Sequence, residues 1–97
     1  MSIDQIKWSL NQVENFMFFD SLYGLDVEEL KIQKVNVEKL IESFLWLSYK
    51  DLDIEELEHI RFRLLETSAN IEIRLKEELK EDATADVRKL ESLYRTA

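Results

Sequence analysis

Apolar residues recur along this chain in alternating steps of three and four, the period of a helix with one buried face. Ile3, Ile6, Leu10, Val13 and Met17 form the first such series and predict a helix over about residues 3–22. Ser2 with Gln5 reads as a capping box at its start, and Gly24 as a left-handed cap at its end. A second series, from Val27 and Leu30 through Val37, Leu40, Ile41 and Phe44 to Leu47, predicts a helix from just after Asp26 to about Tyr49. Its weak point is residues 34–36, where Lys34 lands on the apolar face. A strand pair through residues 30–37 is rejected, because Gln33-Lys34 lacks hairpin turn chemistry. The third series begins after Asp53: Ile54, Leu57, Ile60, Leu64, Ser68, Ile71, Leu75 and Leu79.

Residues 82–86 offer two continuations. Thr84 can cap a short fourth helix carrying Val87, Leu90 and Tyr94, or the series Leu79, Ala83, Val87, Leu90, Tyr94 can prolong the third helix. Two aspartates and a threonine in five positions favour a break or bend. The expected fold is therefore all-α, a small antiparallel bundle of three main helices with a short C-terminal fourth helix or a long bent third.

The starts of the second and third helices are written almost identically, Leu25-Asp26-Val27-Glu28-Glu29-Leu30 and Leu52-Asp53-Ile54-Glu55-Glu56-Leu57. Each Asp can accept from the open N–H groups of a first turn, and the Glu three residues on can reach back to it. The paired glutamates also meet the positive end of the helix dipole. The two helices diverge in sequence beyond these starts, so the repeat is one capping solution used twice, without chemistry of its own.

Composition agrees with this picture. Ninety-seven residues allow one domain, residues 1–97, and the absence of proline with a single glycine leaves little turn punctuation for a β-fold. No cysteine is present, which removes disulfides, thiolate zinc sites and a cysteine nucleophile. The net charge of −8 disfavours phosphate backbones and anionic membrane surfaces as partners. The first ten residues lack a secretory pattern and the longest apolar run is Phe44-Leu45-Trp46-Leu47, so a cytoplasmic location is expected.

Three helices need one apolar stripe each, and these carry more. Trp8, Phe19 and Leu22 lie roughly opposite Ile6 on the first helix; Phe62, Ala69 and Ile73 lie away from the Leu57–Leu64–Ile71 stripe on the third, with Leu65 between. Either these residues fill the centre of a compact four-helix core, or a second stripe is an interface. The interface reading selects Trp8, Phe19, Leu22, Phe62 and Ile73 as partner-binding residues.

Catalytic chemistry finds little support. His59 is the sole histidine, so no histidine triad or histidine pair can come from one chain. Glu56 and His59 have the Glu-x-x-His spacing of di-iron bundles, but His59 points away from the core stripe, so no metal or other cofactor is assigned. The carboxylates sit among lysines and arginines at helical spacings, an ordinary solvated face rather than a paired acid–base site or an imitation of nucleic acid. The expected function is that of a non-enzymatic, self-associating interaction protein: an inhibitor, antitoxin, adaptor or phage-type accessory protein that binds another macromolecule. A self-assembling structural subunit is the second expectation, and an oligomeric bundle holding a small ligand or metal the third.

Overall fold

The computed structural model describes residues 2–23, 26–47 and 53–96, with side chains described from residue 2 to 18 in the first of these segments. Four helices occupy them: α1 (Ile3–Tyr23), α2 (Val27–Leu45), α3 (Ile54–Glu78) and α4 (Thr84–Thr96). No strand occurs among the described residues, and residues 30–37 are continuous helix. Gly24 lies outside them. The predicted run of α2 to about Tyr49 is corrected: the helix ends at Leu45 with Trp46 as its C-cap, because the Trp46 and Leu47 N–H groups turn to the Ser43 and Phe44 carbonyls at 3.2 Å in three-residue turns that close the last helical turn.

The helix starts follow local chemistry. Asp26 accepts from the Glu28 N–H at 2.9 Å and Asp53 from the Glu55 N–H at 3.0 Å, each in an extended N-cap conformation. The reciprocal arm expected at α3 is absent, because the Glu56 carboxylate accepts from the Lys7 ammonium of α1. The box closed from both sides is the one at α1: the Ser2 N–H donates to Gln5 Oε1 at 2.8 Å, and the Gln5 N–H to Ser2 Oγ at 3.2 Å. At the start of α4 the expectation of a Thr84 cap is corrected. Thr84 is the first helical residue, and Asp82 Oδ1 accepts both its N–H and its hydroxyl. The Asp side chain wins because its carboxylate is ionised and aligned with the positive helix end.

The apolar stripes meet as the spacing demands. Ile6, Leu10, Leu40, Phe44, Ile60 and Leu64 form one layer of the core; Val13, Val37 and Ile71 form the next. Residue numbers rise along α1 and α3 and fall along α2 in passing from one layer to the other, so α1 and α3 run parallel and α2 runs against both. The two ends of the third series are the exceptions: Ile54, the first residue of α3, is 72% exposed and Leu79, its C-cap, 42%, because both lie beyond the layers of the core. Lys34, on the apolar face of α2, finds Glu72 of α3 at 2.6 Å, so an ion pair fills the gap in the stripe. That hydrogen bond to Glu72 holds the Lys34 ammonium above its ordinary pKa.

α4 folds back antiparallel on α3 and on no other described helix. The turn between them is a Schellman motif without glycine. The Glu81 N–H donates to the Lys76 carbonyl at 2.7 Å, the Lys80 N–H donates to the Glu77 carbonyl at 3.1 Å, and Lys80 sits at φ 58°. Of the two continuations open in the sequence, a broken third helix with a short fourth is the one formed.

Candidate interaction surface

α1 is held against α3 by a polar seam. Lys7 pairs with Glu56, and the Arg63 guanidinium donates to Glu14 through Nε at 3.1 Å and to Asn11 through Nη2 at 2.6 Å. Residues 7, 11 and 14 thus commit one flank of α1 to α3. The opposite flank borders α2 and is open. There Trp8, Ser9, Gln12 and Phe16 face Gln33, Asn36 and Lys39 across a groove of about 530 Å³, floored by Val13 and Leu40.

Trp8 stands at the rim of this groove, 66% exposed, with a shallower hollow on its other side lined by Asp4, Gln5 and Ser9. Trp8, Gln12 and Phe16 succeed one another at four-residue steps, so they form a single ridge along α1. Among the described residues lining the groove, none is a carboxylate and one, Lys39, is a cation. In a chain with 21 acidic residues this is a distinct chemical surface: aromatic, amide-rich and nearly neutral. Asn36 Nδ2 donates to Gln33 Oε1 at 3.4 Å, which leaves further donors and acceptors of both amides directed at solvent.

The other residues selected from the sequence are distributed differently. The Phe62 ring is half-buried and lies 6.0 Å from the Tyr94 ring of α4, centroid to centroid and tilted by 56°. Ile73 is half-buried on α3. The side chains of Phe19 and Leu22 lie outside the described residues. Trp8 is therefore not joined to Phe62 or Ile73 in one patch. The second stripe of α3 faces α4, whereas Trp8 belongs to the α1–α2 face.

Sequence reasoning missed Phe16, Gln12, Gln33 and Asn36. The signal for the first two was present, since they continue the Trp8 ridge at i+4 and i+8. Gln33 and Asn36 had no signal beyond their place on α2, because which flank of α2 borders α1 depends on tertiary packing.

Between α3 and α4 lies a smaller cleft of about 320 Å³, lined by Leu65, Ser68, Ala69, Glu72, Asp86, Lys89 and Leu93. Asp86 is one of two buried polar residues among those described, and its carboxylate accepts from Lys76 Nζ at 2.5 Å. The hydrogen bond from Lys76 holds the Asp86 carboxyl below its ordinary pKa, against the opposing effect of burial, and the same bond raises Lys76. Tyr94 is pushed upward by its hydrogen bond to Glu66.

Among the described residues no group of three or more histidine, aspartate or glutamate side chains is placed to hold a metal ion. His59 is exposed, and Glu56 is engaged by Lys7. No described helix is long and apolar enough to cross a membrane. Comparison with known protein families, with curated proteins and with solved structures gives no match.

Proposed function

We propose that this protein is a non-catalytic interaction domain that binds another protein through the α1–α2 face centred on Trp8. The observation that carries the reading is the ridge Trp8–Gln12–Phe16 beside a carboxylate-free groove on an otherwise acidic molecule. An exposed tryptophan with apolar and amide neighbours matches the make-up of interface centres, which are depleted in acidic residues and enriched in aromatics. The carboxylates elsewhere on the molecule repel other acidic surfaces, so the neutral groove is the place where approach of such a partner costs least.

The partner implied is a protein segment presenting an apolar side chain to the groove and backbone or amide groups to Gln12, Gln33 and Asn36. The biological role is that of an inhibitor, adaptor or accessory factor acting by occupancy, in a cytoplasmic setting. Self-assembly as a structural subunit is the second reading, supported by the exposed apolar side chains Ile32, Val35, Leu45 and Trp46.

The test uses Trp8 fluorescence in a Trp46→Phe background, since Trp46 is 83% exposed and otherwise contributes to the signal. Partner binding at the groove is expected to shift the emission of Trp8 to the blue, and Gln12→Ala with Phe16→Ala to weaken it. Binding that leaves Trp8 emission unchanged would remove the reading.

A further inference from the structure

The α3–α4 turn is built from residues that prefer to be helical. Leu79, Lys80, Glu81 and Ala83 are strong helix formers, and only Asp82 is a poor one. Lys80 nevertheless sits at φ 58°, a conformation that penalises every residue with a Cβ. The interaction seam also ignores the turn. From Phe62 to Leu93, alternating steps of three and four run without a skip, crossing the turn at Leu79 and Ala83 and placing Lys76 and Asp86 on the same line. A single helix continuing from α3 through α4 would keep all these residues on one face.

α4 itself is lightly held. Among the described helices it contacts α3 alone, and its one buried residue is an acid, Asp86, clasped by Lys76. Tyr94 keeps half its surface, 51%, while its ring lies tilted against that of Phe62.

We infer that α4 exchanges between two copies of this chain: the turn at residues 79–83 straightens, α3 and α4 become one helix, and each α4 lies on the α3 of the other copy. Every α3–α4 contact is then remade in the same chemistry between chains, including two Lys76–Asp86 pairs and two Phe62–Tyr94 pairs. Leu79, 42% exposed in the closed chain, meets its counterpart near the two-fold axis and gains cover. Straightening relieves Lys80 and gives up the Asp82 cap on Thr84. The closed form prevails when dilute, because an attached α4 has a high effective concentration at its own α3, and exchange grows with protein concentration. This association uses a surface separate from the Trp8 groove and stands or falls independently of it.

A charge-exchange experiment tests it. Lys76→Glu and Asp86→Lys each place like charges across the α3–α4 clasp, whether α4 is closed or swapped within a homodimer. In a swapped heterodimer of the two variants, both α4 helices leave the like-charged pairing of their own chains: one clasp joins two native partners and the other joins the two substituted, opposite charges. Concentrated one-to-one mixtures analysed by native mass spectrometry are expected to give chiefly the dimer containing one copy of each, well in excess of the homodimer that either variant forms alone, because only the mixed dimer relieves the like charges. Wild-type chains, one batch labelled with heavy nitrogen, are expected to form the mixed light–heavy dimer under the same conditions. Lys80→Gly in both copies, which eases the turn and weakens the continuous helix, is expected to lower the dimerisation constant roughly tenfold or more. Mixtures that stay monomeric, variants that form homodimers as readily as the heterodimer, or a dimer indifferent to Lys80→Gly would overturn the inference.

Discussion

At the scale of single residues, the fold rests on a few side chains whose partners differ from what their neighbours in sequence suggest. Glu56 is spaced to close a capping box with Asp53 and instead anchors Lys7 of α1. Lys34 interrupts the apolar stripe of α2 and is accommodated by Glu72. Neither partner was legible in the sequence, because an ion pair between helices depends on which flanks face each other. The caps at Asp26 and Asp53 were legible, since Asx capping acts within three residues. The glycine-free turn supplies the sharpest prediction here. A left-handed conformation costs a residue with a Cβ about 1–2 kcal/mol, part of which glycine loses again through its greater freedom when unfolded. Lys80→Gly should therefore raise the stability of the monomer by up to about 1 kcal/mol, read as a higher denaturation midpoint. Leu64→Ala, at a fully enclosed position, should cost about 2–5 kcal/mol, whereas Trp8→Ala should stay within about 0.5 kcal/mol. A Trp8→Ala variant as unstable as Leu64→Ala would mean that the tryptophan supports the core rather than a surface.

At the scale of elements, the apolar spacing placed α1, α2 and α3 within a few residues of their observed starts, because each start is written locally and each stripe has the helical period. The break before α4 was ambiguous for a physical reason: the seam residues keep the same period through the turn, so a hairpin and a continuous helix satisfy the same pattern. Capping by Asp82 and the fold-back onto α3 decide it in the closed chain. Because the Lys76–Asp86 clasp and the Tyr94–Glu66 hydrogen bond help hold α4, its docking should depend on pH at both extremes. The Asp86 carboxyl lies below the ordinary 3.8 in the folded chain, so its contribution is complete above that value and lost as pH falls from 3.8 toward the lowered pKa. Lys76 lies above 10.5 and Tyr94 above 10.0, so their contributions are complete below those values and lost as pH rises through the raised ones. Amide hydrogen exchange should show α4 opening more readily than α3 at neutral pH, and more readily still on acidification. Asp86→Asn should reduce the acid dependence and leave the part carried by Asp82, whose carboxyl is also held below its ordinary pKa by its hydrogen bonds from Thr84; an α4 as protected as α3 at every pH would contradict this description.

At the scale of the whole molecule, charge is unevenly laid out. The start of α2 and the end of α3 lie at one end of the bundle, since the two helices are antiparallel, and bring Asp26, Glu28 and Glu29 together with Glu77, Glu78, Glu81 and Asp82 at that pole. The Trp8 groove lies along α1 and α2 and has no carboxylate among the described residues that line it. Half of this site was visible in the sequence. Trp8 stood out as an aromatic opposite the core stripe, but Phe62, chosen on the same ground, is covered in part by α4. Helical periodicity identifies a second apolar face without saying whether another part of the chain covers it. If binding is carried by the groove, affinity should change little with ionic strength, since one cation and no anion line it. A steep salt dependence would instead assign recognition to the acidic pole. The most direct measurement is co-purification of native partners with three versions of the full chain: wild type, Trp8→Ala and Trp46→Ala. Recognition through the groove predicts one protein retained by wild type and by Trp46→Ala, and bound at least roughly tenfold more weakly by Trp8→Ala, on the order of the loss expected at an interface hot spot. A partner retained equally by all three, or lost with Trp46 and kept without Trp8, would contradict it.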